Sequence, residues 1–331
     1  MRLGKKWIAG LLALILIVSI VAGGCAATQS NQDTADKENS QQVTEFKPLS
    51  TTGKKVVAEY NGGKVTEGEL NRYINIIAFL DPQLGLMMSS MKDKQNQLRA
   101  ELAKEYAARQ YMVSKVKDDP KYDKEADQTM SDIENGLKNA PQAEGSKAPK
   151  NLADAIKGKG FTKEELQQFF VDYHKVNEYY DEQMKGDKYD WVKAAHILIA
   201  VGDGQNQQPK RSDADAKKRA EEVEKKLAAG GDFAKLAKQY SDDPGSKDNG
   251  GVIEGSVDQF VPEFSKACKT LPLNTVSDPV KTSYGYHIIK VLDRQQKPIA
   301  DAPDDVKAQK REEIYNNLVK SDLKFKSLLP A

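Results

Sequence analysis

The sequence predicts an α+β chain. A small module of a few antiparallel strands with helices packed on them is inserted into a mainly helical domain, which is built from N- and C-terminal segments. Three observations predict this arrangement. Apolar residues recur at helical spacing from Leu70 to Tyr180 and again beyond Pro303. Between Trp191 and Leu292 the pattern changes to apolar strand runs at either end, with short helical segments between them. The last helix has one apolar side and cannot stand alone in water, so it is expected to pack back onto the N-terminal helices.

The first 24 residues differ from the rest. Arg2, Lys5 and Lys6 precede an apolar run from Trp7 to Val21, then Ala22, Gly23, Gly24 and Cys25. A basic start, an apolar run and small residues have the form of a secretory signal, 1–24. The uncharged stretch also approaches spanning length, so an uncleaved anchor stays open. Residues 25–52 are rich in Gln, Asn, Ser, Thr and Asp and read as a disordered tether. The remaining expected boundaries are 53–190 for the helical N-terminal part, 191–294 for the inserted module and 295–331 for the C-terminal helix.

Order is expected from Lys54. Val56, Val57 and Tyr60 form a short strand, and Asn61-Gly62-Gly63 a turn. Thr66 and Glu69 make a capping box for a helix carrying Leu70, Tyr73, Ile74 and Ile77, which Pro82 closes. A second helix, about Met91 to Asp118, presents Leu98, Leu102, Tyr106, Met112, Val113 and Val116 and ends at Pro120. Lys121 to Ala148 mixes a helix and a loop. Thr162 and Glu165 cap the next helix, whose buried stripe is Leu166, Phe169, Phe170, Tyr173, Val176 and Tyr180.

In the inserted module, Val192 to Val201 is a strand and Asp213 to Ala229 a charged helix stopped by Gly230-Gly231. A short helix, Phe233 to Tyr240, precedes a loop running to Gly251. A short strand, a helix about Pro262 to Lys269 and a last strand, Tyr286 to Leu292, follow. The final helix is expected over Asp304 to Leu328, with Val306, Ile314, Leu318, Leu323 and Phe325 on its apolar side.

Charged residues are 30% of the chain, but the net charge is only +1, so nothing suggests a nucleic-acid partner. The chain has two cysteines, Cys25 and Cys268, and the apolar context of Cys268 reads as core filler. No phosphate-binding glycine loop is present: Gly250-Gly251 precedes a strand, not a helix. The three histidines are His174, His196 and His287, and the last two sit in apolar strand runs at either end of one module. Each is readable as a structural strand histidine, and a His-His-Asp metal site is conceivable. Neither a metal nor a cofactor is expected.

Ala195-His196-Ile197-Leu198, Tyr240-Ser241-Asp242-Asp243, Gly250-Gly251, Phe264-Ser265-Lys266-Ala267, Ser277 to Thr282 and Gly285-Tyr286-His287-Ile288-Ile289 together resemble the motifs of parvulin peptidyl-prolyl isomerases, in order and spacing. Ile253 and Glu254 stand where the family usually has Leu-Gly. The wider layout is similar to that of the PrsA foldase lipoproteins. The resemblance implies catalytic roles for His196, Asp243, Thr282 and His287. The imidazoles would be bonded to each other and to the Thr282 hydroxyl, with Asp243 facing the substrate carbonyl. It implies a proline pocket of Val252, Phe260 and Phe264. The small residues before Cys25 resemble a lipobox, which implies lipidation of Cys25. The implied activity is cis/trans isomerisation of X-Pro bonds in secreted proteins, by an anchored foldase on the extracytoplasmic side of the cell membrane. Its partners would be unfolded or partly folded exported polypeptides and the membrane itself. The alternative is a non-catalytic holdase with an inactive module. The long amphipathic helices leave a homodimer open.

Two neighbouring imidazoles resist double protonation, so at least one is expected to be neutral at pH 7 and their titrations to be coupled. The stretch from Ala200 to Gln208 lacks a basic cluster, which argues against a requirement for phosphoserine before proline.

Overall fold

The computed structural model describes residues 46–90, 95–139, 149–204 and 210–330. The signal segment, Cys25, most of the tether, Met91 and the end of the 121–148 region lie outside them. The chain divides into two compact units. One extends to Gln183 and resumes at Arg311; the other is Met184–Lys310.

In the first unit, β1 (Val56–Tyr60) and β2 (Gly63–Thr66) form an antiparallel hairpin. It feeds α1 (Glu67–Leu80) through the expected capping box: the Thr66 N–H donates to Glu69 Oε2 at 2.8 Å, and the Glu69 N–H donates to Thr66 Oγ1 at 3.3 Å. A short helix, α2 (Pro82–Ser90), starts where the sequence suggests only a stop at Pro82. Proline at a first helical position lacks an N–H that would have had no intrahelical partner anyway. Pro120 likewise opens a helix: α3 (Gln95–Lys115) is followed by α4 (Pro120–Asn139). Then come α5 (Leu152–Ile156) and α6 (Lys163–Gln183), the latter behind the expected Thr162 and Glu165 box.

Leu70, Ile74 and Leu166 are fully buried, and the Tyr73 ring lies 5.2 Å from Tyr106 and 6.2 Å from Phe169. On α6 the buried stripe differs from the expected one. Val171 and Lys175 are buried, whereas Tyr173 and Val176 are only half-buried. Lys175 tolerates burial because its ammonium reaches the Asp118 carboxylate.

The boundary of the tether also shifts. The Leu49 N–H donates to Asn75 Oδ1 at 2.8 Å, and Asn75 Nδ2 donates to the Leu49 carbonyl at 2.9 Å. Asn71 Nδ2 donates to the Ser50 carbonyl at 2.7 Å. Two buried asparagines one turn apart on α1 thus hold extended backbone ahead of Lys54, where the sequence suggests a free tether.

The second unit contains β3 (Lys188–Ala200), β4 (Gly202–Asp203), β5 (Lys210–Arg211), α7 (Asp213–Ala228), α8 (Phe233–Tyr240), β6 (Val252–Ser256), α9 (Pro262–Thr270), β7 (Val280–Thr282) and β8 (Gly285–Pro298). Its main sheet has the order β6-β3-β8-β7, antiparallel throughout. β3 and β8 are longer than expected because they stay paired from Ala200↔Gly285 to Lys188↔Pro298, where exposed polar residues hide the strand pattern.

Alternation divides the sheet cleanly. Ile197, Ile199, Tyr286 and Ile288 pack with Ala216, Ala220 and Val223 of α7 and with Leu236 and Ala237 of α8. Val192, Ala194, Ile289 and Val291 pack on the other face with Phe264, Ala267 and Cys268 of α9. Cys268 is fully buried, which agrees with core filler, and burial pushes its thiol up to about 11.

α10 (Asp304–Ser321) is shorter than expected, and the chain closes differently. The N–H groups of Asp322 and Leu323 both donate to the Leu318 carbonyl at 2.9 Å, which ends the helix. Leu323 is then fully buried, and β9 (Lys326–Ser327) pairs with β1 in a β2-β1-β9 sheet. The C-terminal segment therefore joins the N-terminal part through a strand as well as a helix.

Candidate active site

His196 on β3 lies opposite Ile289, and His287 on β8 lies opposite Leu198. The two histidines therefore occupy the same sheet face on neighbouring strands, two residues out of register. Their rings are nearly parallel, 18° apart, with Nδ1 to Nδ1 at 3.2 Å. Phe264 of α9 meets both edge-on, at centroid distances of 5.5 Å to His196 and 5.3 Å to His287. Phe260 lies 5.2 Å from Phe264. Thr282 Oγ1 on β7 is 3.0 Å from His287 Nε2.

The loop after α8 brings in the carboxylate. It is stitched to the edge of β3. The Asp242 N–H donates to the Leu198 carbonyl at 2.8 Å, and the Leu198 N–H donates to Ser241 Oγ at 3.1 Å. The His196 N–H donates to the Gly251 carbonyl at 2.8 Å. Between these anchors Asp243 Oδ2 lies 3.0 Å from His196 Nε2. Gly251 has φ +74, and a Cβ there would overlap the His196 carbonyl oxygen. Only glycine allows the loop so near the histidine.

The protons have one consistent arrangement. The Asp243 side chain is a quarter exposed, and burial acts to raise its pKa. Hydrogen bonds from Ser246 and the Gly245 N–H, together with His196, outweigh that, so the carboxyl is held below its ordinary value and is ionised at pH 7. An ionised carboxylate can only accept. His196 therefore carries its proton on Nε2 and leaves Nδ1 to accept. His287 then donates from Nδ1, and its Nε2 accepts from the Thr282 hydroxyl. Burial lowers the pKa of His196 against the pull of Asp243. Burial and His196 lower His287 to about 3. Both imidazoles are therefore neutral at pH 7.

The structure thus brings His196, Asp243, Thr282, His287, Phe260 and Phe264 together on one sheet face. It does not bring Val252 there. Val252 pairs with Ala195, and residues opposite each other in a ladder point to the same side, so Val252 faces away from His196. Ile253, opposite Ala194, is the β6 residue that packs with Phe264. The expectation for Val252 is off by one residue, which reverses the face in a strand. Sequence reasoning also misses Ser246. It is 1% exposed, its hydroxyl lies 3.0 Å from His196 Nε2 and it also contacts the Asp243 carboxylate. Its position three residues after Asp243, in a turn-forming run, is the only signal for it in the sequence. His174, the third histidine, belongs to the first unit, where Nδ1 lies 3.2 Å from Glu125.

Four polar groups in series, Asp243, His196, His287 and Thr282, thus stand beside an aromatic wall of Phe264 and Phe260. Residues 180–295 match the family described as PPIC-type PPIASE domain, and the chain carries a peptidyl-prolyl cis-trans isomerase module of the parvulin type. More particularly, the chain is PrsA-like. It is 26% identical over 309 residues to the foldase protein PrsA of Clostridium botulinum strain 657, covering 80% of this chain and 85% of that protein. It is 31% identical over 231 residues to the foldase protein PrsA of Clostridium botulinum strain Hall, covering 61% of this chain and 62% of the relative, so over a third of the latter is unmatched. A crystal structure of peptidylprolyl isomerase (PrsA) from Bacillus anthracis aligns at 25% identity over 66% of this chain and 93% of that chain, with a TM-score of 0.37. Among the described residues, no helix is long and apolar enough to cross a membrane.

Proposed function

We propose that the second unit catalyses rotation about X-Pro bonds in exported polypeptides. The proline ring would lie against Phe264, Phe260 and Ile253, and Asp243 would face the imide carbonyl. The observation that carries this reading is the Phe264 ring, which touches both imidazoles of a chain that ends on the Asp243 carboxylate.

The barrier to rotation is about 18–20 kcal/mol and comes from conjugation across the C–N bond. Conjugation places negative charge on the carbonyl oxygen and is lost when the bond twists. A fixed carboxylate beside that oxygen therefore disfavours the planar imide more than the twisted one. That is differential stabilisation, and no covalent bond is made or broken. The neutral histidines suit this chemistry, because they keep Asp243 aimed and ionised without adding positive charge that would cancel its field.

The full chain should accelerate isomerisation of a proline tetrapeptide in a protease-coupled assay, and Asp243→Ala should reduce kcat/KM by about tenfold or more. No acceleration by the wild-type chain would overturn the reading and leave a holdase.

We read the layout as that of an anchored foldase on the extracytoplasmic side, with a signal segment at 1–24 and lipidation at Cys25; the basic then apolar start, the small residues before Cys25 and the polar stretch before the helical unit support this. That unit, completed by the C-terminal segment, would hold partly folded chains while the inserted module acts on their prolines. Incorporation of labelled fatty acid that Cys25→Ser abolishes would be the expected result in a bacterial host. Equal labelling of the variant would remove the lipid anchor from the proposal.

A further inference from the structure

We propose that Ser246 is a positioning residue for isomerisation, locking Asp243 against His196 through both its side chain and its main chain; this rests on the isomerase reading of the site. The Ser246 hydroxyl donates to Asp243 Oδ2, the same oxygen that faces His196 Nε2. The Ser246 carbonyl accepts the N–H groups of Asn249 and Gly251, each at 2.9 Å. Gly251 in turn holds the backbone of His196. One buried residue thus connects the carboxylate, the loop that carries it and the strand that carries its partner. The second Asp243 oxygen accepts the Gly245 N–H at 3.1 Å, which fixes the plane of the carboxylate.

The hydroxyl acts on the charge of Asp243 as well as on its position. Oδ2 lies in a partly dry place where burial favours the neutral acid. A hydrogen bond given to the anion opposes that, and a bond to a charged group is among the stronger kinds. The charged and titratable groups around Asp243 are His196 on β3 and His287 behind it on β8. Asp242, its neighbour, is occupied by Arg211. With both imidazoles neutral, Ser246, the Gly245 N–H and the Nε2–H of His196 are the donors that keep the anion stable. Replacing the hydroxyl by hydrogen should let Asp243 take a proton at higher pH and let its side chain turn away from the imide.

The test compares wild type with Ser246→Ala and Ser246→Thr in the full chain. In the proline tetrapeptide assay, Ser246→Ala should lower kcat/KM by about tenfold at neutral pH, where Asp243 stays ionised but loses its aim, and by more towards acid. Its acid limb should move to higher pH, and Ser246→Thr should restore the wild-type profile. Nitrogen-15 NMR of the histidine rings provides a readout independent of activity. In wild type His196 should be protonated on Nε2 and His287 on Nδ1, and Ser246→Ala should weaken the His196 signature. A loss with the acid limb and the ring spectrum both unmoved, or a wild-type profile and ring spectrum in Ser246→Ala, would overturn the positioning role. If wild type itself shows no isomerase activity, the isomerase reading fails, while the ring spectra still decide whether Ser246 organises Asp243 and His196.

Discussion

Two neutral imidazoles in a dry core make the second unit sensitive to acid. Both histidines have folded-state pKa values below the unfolded value of about 6.5, and His287 lies at about 3. Below about 6.5 the unfolded chain binds more protons than the folded one. Stability is therefore complete above that value and is lost as pH falls towards 3. By pH 4.5 His287 alone should cost about 3 kcal/mol, from two pH units at 1.36 kcal/mol each. Urea unfolding of the second unit, followed at pH 7 and pH 4.5, should show this drop, and His287→Asn should flatten it. Equal midpoints at the two pH values would mean that the imidazoles are not held neutral by burial. A further expectation at this scale concerns Arg211. Its guanidinium donates to the Ala200 carbonyl at 2.9 Å and also reaches the Asp242 carboxylate. It is therefore not free to bind a phosphate. Peptides with Ser-Pro and phosphoserine-Pro should be isomerised within a few-fold of each other, and a large preference for phosphate would contradict this.

Individual elements are legible in the sequence to different degrees. Both capping boxes can be read because Thr and Glu three apart describe a local event at a helix start. Thr66→Ala should cost about 1 kcal/mol in the first unit and leave the isomerase rate unchanged, which unfolding and activity measurements together would show. Pro82 and Pro120 suggest stops alone, yet proline ends one helix and opens another with equal ease. Val252 shows how a strand magnifies a small error: one position moves a side chain to the opposite face. The loop after α8 is the element on which the site depends most. Gly251→Ala would force apart the Gly251 and His196 backbones. Lower thermal stability of the second unit and a reduced kcat/KM are expected, and retention of both would show that the loop can shift without disturbing Asp243.

At the scale of the whole chain, the C-terminus completes the first unit. Leu323 is fully buried and β9 pairs with β1, although more than 250 residues separate them in sequence. Leu323→Ala should destabilise the first unit by about 2–5 kcal/mol while the isomerase rate on a short peptide persists. Loss of both together would mean that the units unfold as one. Local periodicity and local capping are enough to specify the two-part plan, the helical stripes, the strands at either end of the module and most of its polar groups. They are not enough for the faces that Ile253 and Val252 take, the reach of Ser246 to Asp243, the hold of Asn75 on Leu49, or the neutrality of both histidines. Each of these depends on groups brought together by strand register and burial, and no spacing along the chain encodes them.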